Sequence, residues 1–198
     1  MPAPTSSVEA EGRDRDFGRP AVRVQPGEHY VTRRDELIVT VLGSCVSVCL
    51  RDAGRGVGGL NHFLLAESVE EGPAGASARY GGYAMELLIN DLLKLGARRE
   101  RLEAKVFGGG RVLSALNGRA IGERNAAFAL DYLKAEGIAV LAHDVLGELA
   151  RKIAFLPSSG RVWVRRLGRG AGGEVFGAER RWAAARPPQA DGGVELFK

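Results

Sequence analysis

The sequence predicts an α/β (α+β) fold in which many short strands accompany two long helices. Three observations predict it. Short runs rich in Val, Ile, Leu and Thr are separated by turns containing Gly, Pro and Asp, the pattern of strands. Two longer stretches carry apolar residues at helical spacing and stop at a glycine. The patterned part, residues 21–167, is about 145 residues long, close to the commonest domain size.

The elements follow in order. Residues 1–20 are rich in Pro, Ser, Glu, Arg and Gly without periodicity and are expected to form a disordered arm. Ala21 to Gln25 alternates like a strand, Pro26-Gly27 turns, and His29 to Thr32 reads as a second strand. Leu37-Ile38-Val39-Thr40-Val41-Leu42 is a buried strand by its β-branched, apolar character. Gly43-Ser44 breaks it, and Val46, Val48 and Leu50 then alternate with Ser47 and Cys49 as a further strand. Arg51 to Gly56 turns the chain, and Val57 to Leu65 returns as the hairpin partner. Ala66 to Ala78 reads as a loop, and Tyr83 to Leu95 as a helix capped by Gly96. Leu102 to Phe107 is a strand closed by Gly108-Gly109-Gly110, with a short helix expected at Val112 to Leu116 and a long one at Gly122 to Glu136. Strands are expected at Ile138 to His143, Arg151 to Phe155 and Arg161 to Leu167. From residue 168 to 198 the composition shifts to Gly, Ala, Arg and Pro, a flexible tail.

Composition narrows the function. Of 198 residues, 45% are hydrophobic, enough for an ordinary core. The net charge of +4 arises from 28 basic and 24 acidic residues that are interspersed, so there is no nucleic-acid stripe beyond a hint at Arg165, Arg166 and Arg169. No apolar run reaches membrane-spanning length and no signal-type segment opens the chain, so no membrane insertion is expected. Two cysteines without an export signal point to reduced thiols in the cytoplasm.

The chemistry concentrates at Cys45, which follows Gly43-Ser44 at the end of an apolar strand. From there a side chain can be presented to a cleft, and a nucleophilic thiol needs a base that is near in space. His62, on the returning strand, is that candidate base if the two strands are neighbours. The competing reading is equally physical: cysteine is among the most often buried residues, and His62 can be a satisfied core histidine. Cys49 takes the core reading, since four residues of strand span about 13 Å, beyond disulfide reach of Cys45. His29 reads as a surface strand residue. His143-Asp144 is the one pairing suggestive of a metal, but three scattered histidines show no ligand spacing, so neither metal nor cofactor is expected. Gly108-Gly109-Gly110 lacks a nucleotide fingerprint and reads as a tight turn, while Arg124 and Asn125, at the opening of the second long helix, are candidates to line a site.

The motifs taken together resemble a known family. Leu42-Gly43-Ser44-Cys45-Val46 followed by Asn61-His62-Phe63-Leu64-Leu65 is similar to the signature of the chemoreceptor glutamine deamidases, the CheD family of bacterial chemotaxis. The resemblance continues through Arg79-Tyr80-Gly81-Gly82-Tyr83-Ala84-Met85, Lys105 to Gly109, Ile121-Gly122-Glu123-Arg124-Asn125 and Ala142-His143-Asp144. It covers roughly residues 22–167.

The resemblance implies layered mixed sheets flanked by the two helices, as in bacterial toxin-type cysteine deamidases. It implies Cys45 as nucleophile, His62 as general base and acid, and Thr40 as the residue that orients His62. Gly43, Ser44 and Asn61 are the implied oxyanion and substrate-binding positions. The implied substrates are glutamines of methyl-accepting chemoreceptors, and the implied further partner is a CheC-type phosphatase of the CheY phosphate. Two other classes stand beside this one: a non-enzymatic adaptor for such a phosphatase, and a cysteine hydrolase of small amides.

Overall fold

The computed structural model describes residues 10–14, 16–65, 76–111 and 116–168, together with Val175, Gly177 and Arg181. Among the described residues, ten strands form two five-stranded mixed sheets. The first sheet contains β1 (Ala10–Arg13), β2 (Pro20–Arg23), β4 (Leu37–Leu42), β9 (Arg151–Leu156) and β10 (Arg161–Arg166), side by side in that order. The second runs β3 (His29–Thr32), β6 (Val57–Asn61), β5 (Val46–Asp52), β7 (Glu103–Gly108) and β8 (Ala139–Val145). Helices α1 (Ala76–Lys94) and α2 (Leu116–Ala135) cover one face of the second sheet. The α+β class holds, with layers in the order helices, second sheet, first sheet.

Side-chain alternation shows why the layers stack this way. Successive strand residues point to opposite faces. In β5, Val46, Val48 and Leu50 join Met85, Leu88, Ile89 and Leu92 of α1 and Ala126, Ala129 and Leu133 of α2 in one core. The α1 residues recur at helical spacing, so they make one apolar stripe. Cys45 and Cys49 face the other way. They pack with Leu60, Phe107, Ile38, Leu42, Ile153 and Phe155 in a second core between the sheets. In β4, Leu37 and Val39 turn outward into a third, smaller cluster. The chain therefore crosses from the first sheet to the second at Gly43-Ser44-Cys45, between the ends of β4 and β5.

Several expectations are corrected. Within the segment 1–20, expected as a disordered arm, β1 pairs antiparallel with β2, Ala10 opposite Val22, while residues 1–9 and 15 fall outside the described residues. Long-range charge ties its continuation down: Asp14 and Asp16 lie 2.6 and 2.8 Å from Lys152 Nζ on β9. Such pairing has no local sequence signal. The first helix starts at Ala76, inside the expected loop, and the second at Leu116 rather than Gly122. The strand expected over Val57 to Leu65 stops at Asn61, and only a single bridge, Val46 to Phe63, continues it. The rest of the Ala66 to Ala78 loop, most of the Val112 to Leu116 helix, and nearly all of the tail fall outside the described residues.

Gly122 explains why α2 continues through a residue that usually weakens helices. A Cβ there would lie 2.4 Å from the carbonyl oxygen of Gly109, so the helix and the glycine loop touch backbone to backbone. Gly122→Ala forces them apart at a cost of about 1–3 kcal/mol, more than the roughly 1 kcal/mol that alanine gains inside a helix. Gly82, on α1, has nothing within 4 Å of its would-be Cβ. Thermal melting should therefore show Gly122→Ala lowering Tm while Gly82→Ala raises it. A Tm raised by Gly122→Ala would refute the close-approach account.

Candidate active site

The strand register brings Cys45 and His62 together. Cys49 pairs with Leu60, and Val46 bridges Phe63 through two hydrogen bonds of 3.0 Å. Continued by one residue each way, this register sets Cys45 against Leu64 and makes His62 its diagonal neighbour on the same face. That face is the core between the sheets. Cys45 is fully buried and His62 is 2% exposed. Neither Cys45 nor Cys49 is in a disulfide.

Thr40 reaches His62 from the opposite sheet. Ile38, Thr40 and Leu42 share the inward face of β4, so the threonine hydroxyl projects across the sandwich. Its Oγ1 lies 2.8 Å from His62 Nδ1. The same hydroxyl donates to the carbonyl oxygen of Val24, also at 2.8 Å. A hydroxyl has one proton to give. With that proton on Val24, Oγ1 can only accept at His62, so Nδ1 must carry hydrogen. In the neutral ring Nε2 then holds the lone pair, the state a general base needs. The tautomer is assigned from the hydrogen-bond network.

The backbone around Cys45 is held by three consecutive carbonyls. Gly43 O accepts from Gly110 N–H at 2.7 Å, and Cys45 O accepts from Gly109 N–H at 2.7 Å. Between them, Ser44 O accepts from the Asn125 side chain at 2.8 Å. Gly108-Gly109-Gly110 is thus the tight turn the sequence suggests, used to grip the cysteine loop. Gly108 has φ +108°, and a Cβ on it would stand 2.2 Å from Cys45 O. The loop accepts no side chain there.

The other candidate residues separate clearly. Ser44 is buried beside Cys45. Asn61, expected at a substrate-binding position, bonds within the fold. Its carboxamide accepts from Val48 N–H at 3.0 Å and donates to Ala84 O at 3.2 Å, with Met85 Sδ at 3.4 Å. It points to the helix face, fastening α1 to β5, while His62 turns its backbone to Gly27 and Glu28. His29 is not a plain surface residue: its Nε2 lies 2.8 Å from Asp91 Oδ2. His143 is exposed on β8, and the described residues contain no group of three or more His, Cys, Asp or Glu placed to hold a metal.

Asn125 is the residue whose role the sequence reading left vague. It is fully buried, and a polar side chain on the stripe that also carries Ala129 and Leu133 was the available signal. Besides donating to Ser44 O, it accepts from Leu65 N–H at 3.0 Å. It therefore joins the cysteine segment to the segment that follows His62.

Comparison with known proteins gives the family of the chain. The family model described as CheD chemotactic sensory transduction matches residues 64–166, a span that begins just after His62 and includes Asn125. The probable chemoreceptor glutamine deamidase CheD 1 of Dechloromonas aromatica is 51% identical over 186 residues, covering 93% of this chain and 92% of its own. That of Bordetella petrii is 54% identical over 179 residues, covering 89% and 80%. Among solved structures, a DUF152-family protein of Neisseria meningitidis aligns with TM-score 0.41 and 12% identity over 67% of this chain and 66% of its own. On the family match and on identity sustained over nearly the whole length, the chain belongs to the CheD family.

Proposed function

We propose that this protein is a chemoreceptor glutamine deamidase that works in the cytoplasm through Cys45. Its substrates are glutamine side chains of methyl-accepting chemoreceptors, which it converts to glutamate with release of ammonia. The names of its relatives support the substrate class. The observation that carries the chemistry is the shared Thr40 hydroxyl, which donates to Val24 and accepts from His62.

The steps follow from that tautomer. His62 Nε2 takes the Cys45 proton, and the sulfur attacks the carboxamide carbon of glutamine. A lone thiolate in an apolar interior is disfavoured, so ionisation depends on the imidazolium formed beside it. The tetrahedral oxyanion is met by backbone N–H groups at Ser44 and Cys45. The C–N bond then breaks, and the proton on Nε2 passes to the leaving nitrogen, giving ammonia and a Cys45 thioester. His62 next takes a proton from water as its oxygen attacks the thioester. The C–S bond breaks, the thiolate regains a proton, and glutamate leaves.

Peptide mass spectrometry of a chemoreceptor cytoplasmic fragment tests this reading. Incubation with the protein should add about one dalton at particular glutamines, the exchange of amide for acid, with one ammonia released per site. No gain across several receptor fragments, combined with capture of a CheC-type phosphatase, would favour the adaptor reading instead. Turnover of free glutamine without any receptor would favour the small-amide hydrolase.

A further inference from the structure

We infer that Asn125 is a positioning residue for the oxyanion donor, acting on transition-state stabilisation rather than on ionisation of the thiol. The inference rests on the deamidase reading above. Its basis is the geometry of one peptide plane. A trans peptide holds its C=O and N–H on opposite sides. The Ser44 carbonyl is turned toward α2 by the 2.8 Å bond from Asn125 Nδ2. The N–H of the same plane belongs to Cys45 and so is turned away from α2. The Cys45 side chain also faces away from the helices, in the core between the sheets.

The neighbouring planes are fixed differently. Gly43 and Cys45 carbonyls are held by the backbone amides of Gly110 and Gly109. Only the middle plane depends on a side chain among these three bonds. That side chain is itself immobilised: it is fully buried, and its Oδ1 accepts from Leu65 N–H at 3.0 Å. Swinging the carboxamide away breaks both bonds in a place water does not reach. Buried donors and acceptors left unmade are costly, so the orientation of the Ser44–Cys45 plane is strongly enforced. The Thr40–His62 bond shares no atom with this brace.

Two roles therefore separate in experiment. The Cys45 ionisation midpoint is read by ultraviolet thiolate absorbance, as the difference from Cys45→Ala. Deamidation of a receptor fragment is followed by mass spectrometry for kcat and KM. Asn125→Ala should lower kcat by about 100-fold, the scale of losing one oxyanion donor, with KM and the thiolate midpoint close to wild type. Asn125→Leu nearly preserves the side-chain volume, leaves no cavity and removes the donor to Ser44 O. It should lose kcat comparably and still fold if the alanine variant does not.

A kcat within a few-fold of wild type in both variants overturns the inference. So does a thiolate midpoint that moves in step with kcat in Asn125→Ala, which would mark a general loosening of the site. Absence of deamidation by the wild-type protein overturns the parent reading, and this assignment with it.

Discussion

Cys45→Ala should abolish glutamine deamidation, by about 10⁶-fold or to the limit of detection, because no other group can form the thioester. Cys49→Ala should leave turnover within a few-fold of wild type. The contrast is sharp because both cysteines are buried on the same face of the same sheet. What differs is the company. Burial pushes the Cys49 thiol well above its usual range, with Lys105 pulling weakly the other way, so it stays protonated and inert. Cys45 has His62 as its diagonal neighbour, with Nδ1 committed to Thr40. Truncating either side chain removes one sulfur from the core between the sheets and should cost roughly 1–2 kcal/mol. Similar melting temperatures for the two variants would thus assign the difference in turnover to chemistry. Ammonia release by Cys45→Ala at the wild-type rate would remove the nucleophile from the mechanism.

The sequence made the strands and the cysteine–histidine pair legible because both rest on short-range pattern. β-Branched runs and period-two alternation placed β4, β5, β7, β9 and β10 within a residue or two of where they lie. The hairpin between β5 and β6 then sufficed to bring His62 back toward Cys45. What stayed illegible depends on distant partners. β1 exists through its pairing with β2 and the ion pairs of Asp14 and Asp16 with Lys152, more than a hundred residues away. Asn61 sits beside His62 in sequence but, one step along a strand, points to the opposite face, where it bonds Val48 N–H and Ala84 O, an orientation that adjacency in sequence does not convey. The first turns of α2, which contain Gly118, were hidden, and the helix was expected to open only at Gly122. Glycine is a poor helix former, and its reason for being at 122 is the backbone of Gly109 across the layer.

Thr40→Val is the test of the histidine's tautomer, and kcat/KM should fall by about 10³-fold. Valine nearly matches threonine in shape, so the core between the sheets keeps its packing, and only the hydroxyl is lost. That hydroxyl serves two partners at 2.8 Å. Without it the Val24 carbonyl loses the threonine's proton, and His62 Nδ1 loses its acceptor. The unmet Val24 carbonyl costs about 1–3 kcal/mol of stability. The larger effect is on the ring. With no acceptor at Nδ1, the imidazole is free to carry its proton on Nε2, where it can no longer take one from Cys45. Thr40→Ser keeps a hydroxyl able to donate to Val24 and accept from His62, and should remain within about tenfold of wild type. Nitrogen-15 NMR of the His62 ring reads the tautomer directly. In wild type and Thr40→Ser the proton should sit on Nδ1, whereas Thr40→Val should show a shift toward Nε2. If Thr40→Val stays as active as Thr40→Ser, the orientation of His62 does not come from Thr40, and the Val24–Thr40–His62 chain is packing alone.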